Sequence, residues 1–308
     1  MSPPLSSYNA RKTGEPCTKD FRIYLATGDE LISPWHGVPL FPSAAKPHVV
    51  SMLVQIPRWS NVRLEIAKEE FLTPIRQAIQ NDHLQYIPNI FPHKGYPWNY
   101  GCLPQTWQDP NLPDPHTQVP GDGGPLDVCE LAGAVEKPGI IKQVKVLGAF
   151  AVLDNGQTDW KVIVVDVASP LTAMLHGIED VETHMPGYLA TMKEWFRVYK
   201  IPEGKGENVV AFGGGVEGEG LIISISFTLA LITRCHGSWK KILAEPGMET
   251  KVSMSDIDIK DINLARQLQD ESHSDRLQLA DRTEVEKYHF LSPNWPLAAS
   301  CPNRAMEV

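Results

Sequence analysis

The chain is short of several things, and each shortage removes a class of function. Its 308 residues include only five cysteines, Cys17, Cys102, Cys129, Cys235 and Cys301, an odd number with no C-x-x-C pair. That argues against a disulfide framework and against a structural zinc site. Basic residues are outnumbered, 28 Lys and Arg against 37 Asp and Glu, for a net charge of −9. A nucleic-acid or membrane-surface binder would carry a basic face instead, so neither partner is expected. The longest apolar stretch, Leu221 to Ile232, is shorter than the ~20 residues needed to span a bilayer. The opening Met-Ser-Pro-Pro-Leu-Ser-Ser has no basic segment followed by an apolar core, so a secretory leader is not expected and a reducing, cytoplasmic setting is.

What is present is a globular composition, 42% hydrophobic and 21% charged. Residues 1–20 read as a loose arm, 21–245 as one domain, and 246–308 as a polar, acidic tail with weak order. Within the domain, Val49–Ile56 and the alternating Arg63–Ile66 predict strands. Ile140–Leu147 and Ala149–Leu153 predict two strands broken at Gly148, and Trp160–Val167 another. Many short strands with frequent turns predict a mainly β core, closed or sandwiched. Helices are expected at Glu179–His184 and Tyr188–Tyr199, with Ser238–Ala244 ending a third; Leu221–Ile232 is a buried helix or strand.

One motif is a decoy. Gly213-x-Gly215-x-x-Gly218 matches the dinucleotide fingerprint, but the run after it is rich in β-branched residues and serine, poor helix formers, and the acidic residue needed about 20 positions on is replaced by the basic Lys240 region.

The acidic pattern is more informative. Asp122 and Asp127 lie five residues apart on the Gly/Pro-rich turn Gly121-Asp122-Gly123-Gly124-Pro125-Leu126-Asp127, and Asp154 and Asp159 repeat that spacing around Gly156, followed by Lys161. Turns of this kind can aim short carboxylates into one cavity, where hard cations such as Mg²⁺ find oxygen ligands. Tyr96, Tyr100, Tyr199, Lys200 and Lys205 could then grip phosphate oxygens. Each part taken alone is more often a solvated Asx turn or ordinary aromatic packing.

Longer stretches tie the parts together. Gln55-Ile56-Pro57-Arg58-Trp59-Ser60-Asn61, Phe91-Pro92-His93-Lys94-Gly95-Tyr96, Asn99-Tyr100-Gly101, Pro104-Gln105-Thr106-Trp107, Asp122 to Glu130, Asp159-Trp160-Lys161 and Trp195 to Pro202 resemble, in order and over about residues 8–245, the eukaryotic soluble inorganic pyrophosphatases of family I, the fungal branch above all. The resemblance implies a five-stranded OB-like β-barrel with flanking helices and Mg²⁺-dependent hydrolysis of diphosphate, through direct attack by a water held between metal ions. It implies that Asp122, Asp127 and Asp159 are metal ligands and that Asp154 helps hold further ions. Glu65 would lie in the same acidic cavity, and Tyr100, Lys161, Tyr199 and Lys200 would bind the phosphates. It also implies a homodimer, with Arg58-Trp59 in the contact region.

The chain departs from the family pattern at five places. Gln55 stands for Glu, Arg63 for Lys, Gln85 for a phosphate-gripping Arg, and Gly124 for the aspartate that holds the nucleophilic water. From Gly213 to Cys235 the chain is longer than its counterpart and lacks a Lys-rich helix entry. Loss of a positioned base typically costs ~10²–10⁴ in rate. Three function classes follow: a slowed diphosphatase; an inactive paralogue serving as a metal and phosphate binder or dimerisation partner; and an OB-fold nucleic-acid module, disfavoured because no basic groove with spaced aromatics is present.

Overall fold

The computed structural model describes residues 5–28, 30–131, 133–211, 224–244 and 285–291. Its strands are β1 (Tyr8–Thr13), β2 (Arg22–Thr27), β3 (Glu30–Ile32), β4 (Val49–Ile56), β5 (Leu64–Ile66), β6 (Ile75–Gln77), β7 (Ile79–Gln80), β8 (His83–Leu84), β9 (Asn89–Ile90), β10 (Asn99–Cys102), β11 (Asp127–Glu130), β12 (Ile141–Asp154), β13 (Gln157–Asp166), β14 (Val209–Ala211) and β15 (Tyr288–His289). The helices are α1 (Ile178–His184), α2 (Tyr188–Val198) and α3 (Ile225–Ala244).

The central feature is a circuit of pairings: β4 bonds β10, β10 bonds β11, β11 runs parallel to β13, and β12 pairs with both β13 and β4. These five strands are the expected OB-like barrel of a mainly β fold. β12 can serve two neighbours because it is long and bent. Its first residues pair with β4 and its remainder with β13, with a register shift between Val146 and Gly148. Gly148 therefore does not split two strands, as its break in the pattern suggests. It forms a bulge within one 14-residue strand, a usual way to turn a barrel corner.

Alternation then sorts the side chains. Phe150 and Val152 of β12 and Ile163 and Val165 of β13 enter one apolar cluster, while Ala149, Ala151, Val162 and Val164 enter a second. Both faces are covered, which is why Trp160–Val167 reads as an almost continuous apolar run. The first cluster also takes Met192, Trp195, Phe196 and Tyr199 of α2 and its C-terminus, at the spacing that puts them on one helical face. The second cluster is capped by Leu231, Ile232 and Cys235 of α3. Burial of that face outweighs the weak helix propensity of Ile225–Ile232, so this part of the ambiguous apolar run is helix. The Gly213–Gly218 motif lies outside the described residues.

A second sheet, ordered β1-β2-β6-β5 with β3 on β2, stands beside the barrel. Residues 8–13, expected in a loose arm, form β1 and pair with β2 over six residues. Of the tail, 285–291 is described: Tyr288 and His289 run parallel to Asn89 and Ile90, and Phe290 stacks on Phe91 with ring centroids 5.3 Å apart.

Candidate active site at the barrel mouth

Strand register brings the acidic residues together. Asp127 on β11 pairs with Lys161 on β13, and with Cys102, two residues beyond Tyr100, on β10. Asp159 lies two residues before Lys161, opposite Val152, and Asp154 lies opposite Gln157, two residues before Asp159. With a side-chain period of two, Tyr100, Asp127, Asp154, Asp159 and Lys161 all share one face of the barrel wall at one end. Gly101 makes this possible: a Cβ there would lie 1.9 Å from the Leu53 carbonyl oxygen, so only glycine lets β10 approach β4 so closely.

The turn carrying Asp122 joins this face from outside the circuit. Gly123 takes φ +72°, and Asp122 Oδ1 accepts from the Gly124 N–H at 2.9 Å, an Asx turn. Gln108 clamps the turn to the barrel: its Nε2 donates to Asp122 Oδ1 at 3.2 Å and its Oε1 accepts from the Trp160 N–H at 2.9 Å. Sequence reasoning stopped at Trp107 and missed Gln108, whose only signal is that it follows the Pro104–Trp107 motif.

These residues surround a cavity of about 370 Å³. Eight of the nine expected site residues line it: Glu65, Tyr100, Asp122, Asp127, Asp154, Asp159, Lys161 and Tyr199. Lys200 lies behind the wall, buried, and donates to Asp154. Tyr199 is stacked on Trp195, with centroids 4.8 Å apart and planes 11° apart. Of the departures, Gln55, Arg63 and Gly124 line the cavity, and Gln85 does not. Gln85 is half-buried on the β7–β8 side, its amide donating to the His83 carbonyl at 2.9 Å. Lys68 and Arg76 line the cavity too, although no motif singles them out.

Lys161 is the electrostatic centre. Only 2% of its side chain is exposed, and its ammonium donates to Asp127 Oδ2 at 2.5 Å, to Tyr100 Oη at 2.9 Å and to Asp159. Tyr100 in turn donates to Asp127. Burial alone would lower the pKa of Lys161, but Asp127 and Asp159 more than offset it and hold the ammonium well above its ordinary value. Burial pushes the Asp159 carboxyl well up, an effect Lys161 offsets only in part, with Asp127 and Asp122 adding to it. Burial and Asp127 raise Asp122 to about 6, against the Gly124 N–H. Burial lowers the pKa of Lys200, with Asp154 opposing.

The chemistry of this set suits a hard divalent cation. Burial, with the Asp127 charge adding to it, holds the Asp122 and Asp159 carboxyls above their ordinary values, and Asp159 Oδ1 is buried without a hydrogen-bond partner. A cation would relieve both conditions. Among the described residues no three carboxylates form a ready-made cage, because Lys161 sits where Asp127 and Asp159 meet.

Comparison with known proteins shows the family. Residues 52–240 match the family model described as inorganic pyrophosphatase. The chain belongs to the inorganic pyrophosphatase family. It is 47% identical over 249 residues to an inorganic pyrophosphatase of Emericella nidulans, covering 81% of this chain and 84% of that one. It is 45% identical over 247 residues to one of Candida albicans, covering 80% and 83%. The solved inorganic pyrophosphatase of Schistosoma japonicum superposes with a TM-score of 0.78 at 37% identity, covering 92% of this chain and all of that one. The barrel and its neighbouring sheet are thus the family I pyrophosphatase fold. Among the described residues no helix is long and apolar enough to cross a membrane.

Proposed function

We propose that this chain is an inorganic diphosphatase, hydrolysing diphosphate to two phosphates in the cleft at the barrel mouth with Mg²⁺ as its cofactor. The observation that carries this is the convergence of Asp122, Asp127, Asp154 and Asp159 with the buried cations Lys161 and Lys200 around one cavity. Asp122, Asp127 and Asp159 would hold Mg²⁺, with Asp154 and Glu65 on the same cavity wall for further ions. Bound there, Mg²⁺ supplies water of lowered pKa and neutralises charge on the departing phosphate. Lys161 has three N–H donors and three partners, so it contacts a phosphate oxygen only after releasing one of them. Tyr199 lines the same wall and can donate to phosphate through its hydroxyl, as can Tyr100 once its hydroxyl leaves Asp127. Lys200 reaches the substrate through Asp154, whose carboxylate it holds in place.

The rate is reduced by the absence of a carboxylate at Gly124, where the family carries the residue that orients the attacking water. No observation favours the alternative of an inactive binder. Phosphate release from diphosphate with and without Mg²⁺ tests the reading: Mg²⁺-dependent release is expected, and none above background would overturn it. We place the protein in solution as a dimer around Trp59, which is 55% exposed under the Arg58 guanidinium. Sedimentation should give a dimer for the native chain and a monomer for Trp59→Ser.

A further inference from the structure

Arg76 is a cleft cation to which neither the acidic pattern nor the family resemblance gives a role. It stands on β6 directly opposite Glu65 on β5, so the two side chains share a face. Arg63 shares that face as well: two residues before Glu65, it lies opposite Ala78, whose N–H donates to its carbonyl at 2.8 Å. All three line the cavity. The Arg76 guanidinium is held by two carboxylates. Nε and Nη2 approach Glu65 Oε1 at 3.4 and 3.3 Å, and Nη1 donates to Glu70 Oε1 at 3.0 Å. Glu70 is itself gripped by Arg22 at 2.5 and 2.9 Å.

This arrangement orients Arg76 without using it up. A guanidinium has five N–H donors, and these contacts take three, leaving one on each Nη. Arg22, Glu70, Arg76 and Glu65 together are charge-balanced, so the wall can accept a metal-neutralised phosphate without a net penalty. The side chain is 29% exposed, open to the cleft yet fixed in direction, which lowers the entropy lost when it takes a ligand. Gln85, at the position where the family places its phosphate-gripping arginine, points away from the cavity and has no charge to offer.

We infer that Arg76 is a substrate-binding residue, its two uncommitted Nη donors taking phosphate oxygens of diphosphate on the β5–β6 wall of the cleft. The inference rests on the diphosphatase reading and is tested separately from it. Full-length native chain, Arg76→Gln and Arg76→Lys are compared by phosphate release, by calorimetric binding of Mg²⁺-imidodiphosphate, which is not hydrolysed, and by thermal unfolding. A charge-assisted contact of this kind predicts a rise of about ten-fold or more in both KM and the imidodiphosphate Kd for Arg76→Gln, with a smaller change in kcat. Arg76→Lys recovers part of the loss, because an ammonium keeps the charge but not the fork. If Arg76 only ties β5 to β6, Tm falls while KM and Kd stay as in the native chain, and the inference is overturned. If Arg76→Gln does not fold, Arg76→Lys decides: unchanged KM and Kd overturn it. If the native chain releases no phosphate, the diphosphatase reading fails by itself. Imidodiphosphate binding then decides the role of Arg76, and equal Kd values for native and variant, or no binding at all, overturn it.

Discussion

Gly124→Asp is the most direct test of what limits the rate. Gly124 has none of the positive-φ strain that would bar a side chain, and a Cβ built there meets only the Asp122 carboxylate, at 3.3 Å from Oδ1 and 3.5 Å from Oδ2. A shift of a few tenths of an ångström in that carboxylate makes room, so the variant should fold. The difficulty is electrostatic. Two carboxylates about 4 Å apart repel by roughly 4 kcal/mol at an effective dielectric of about 20. The chain has a cheaper escape, because Asp122 already stands at about 6 and can take a proton. At pH 7 that costs about 1.4 kcal/mol, one pH unit above its pKa. The metal-free variant should therefore lose roughly 1–1.5 kcal/mol at pH 7. The loss should grow with pH toward the full repulsion and vanish when Mg²⁺ is added. Urea unfolding at pH 6, 7 and 8, with and without Mg²⁺, measures it. The same carboxylate is placed to orient water, so phosphate release at saturating Mg²⁺ should rise by about 10²–10⁴-fold. A gain below about three-fold, in a variant whose stability responds to Mg²⁺ as described, would refute the assignment of position 124 to the missing base.

Other outcomes follow from the same coordinates. Because Asp122 must lose its proton to hold a cation, Mg²⁺ affinity should fall as pH drops through about 6, with protons released on binding; calorimetry in buffers of different ionisation enthalpy reads this, and Asp122→Asn should reduce the release to the share that Asp159 supplies. His36 is buried and lowered to about 4 by burial, its Nδ1 accepting from Trp239 Nε1 at 2.7 Å. Its neutral form stabilises the fold, so that contribution is complete above the unfolded value near 6.5. It is lost as pH falls toward 4, a drop of about 3 kcal/mol that should be missing from the pH profile of His36→Phe. Gly101→Ala puts a methyl group 1.9 Å from the Leu53 carbonyl and should cost about 1–3 kcal/mol or more by forcing β10 off β4, seen as a lowered urea midpoint.

Elements with a strong local pattern were legible from residues alone. Val49–Ile56 is a strand at its expected bounds, an apolar run buried on both faces, and α1 and α2, each burying one periodic face, lie within a residue of theirs. Gly148 was misread because a glycine that breaks a strand and one that bulges it look identical in sequence; the partner strands decide. The Ile225–Ile232 segment was ambiguous for a related reason, since its helix depends on a barrel face made elsewhere in the chain. At the site, the two five-residue aspartate spacings were visible, but the meeting of Asp127, Asp159 and Lys161 comes from the parallel β11–β13 register, which no local pattern encodes. Arg76 was invisible because Thr-Pro-Ile-Arg-Gln carries no motif; only the pairing with Glu65 turns it toward the cleft.

Lys161 has a consequence beyond catalysis. By bridging Asp127 and Asp159, it acts as a resident counter-ion for the metal-free protein. Chelation should then leave a folded, reloadable molecule instead of an exploded acidic mouth, and every arriving Mg²⁺ must compete with a tethered ammonium that never diffuses away. The chain thereby trades some cation affinity for a pocket that keeps its shape between loadings.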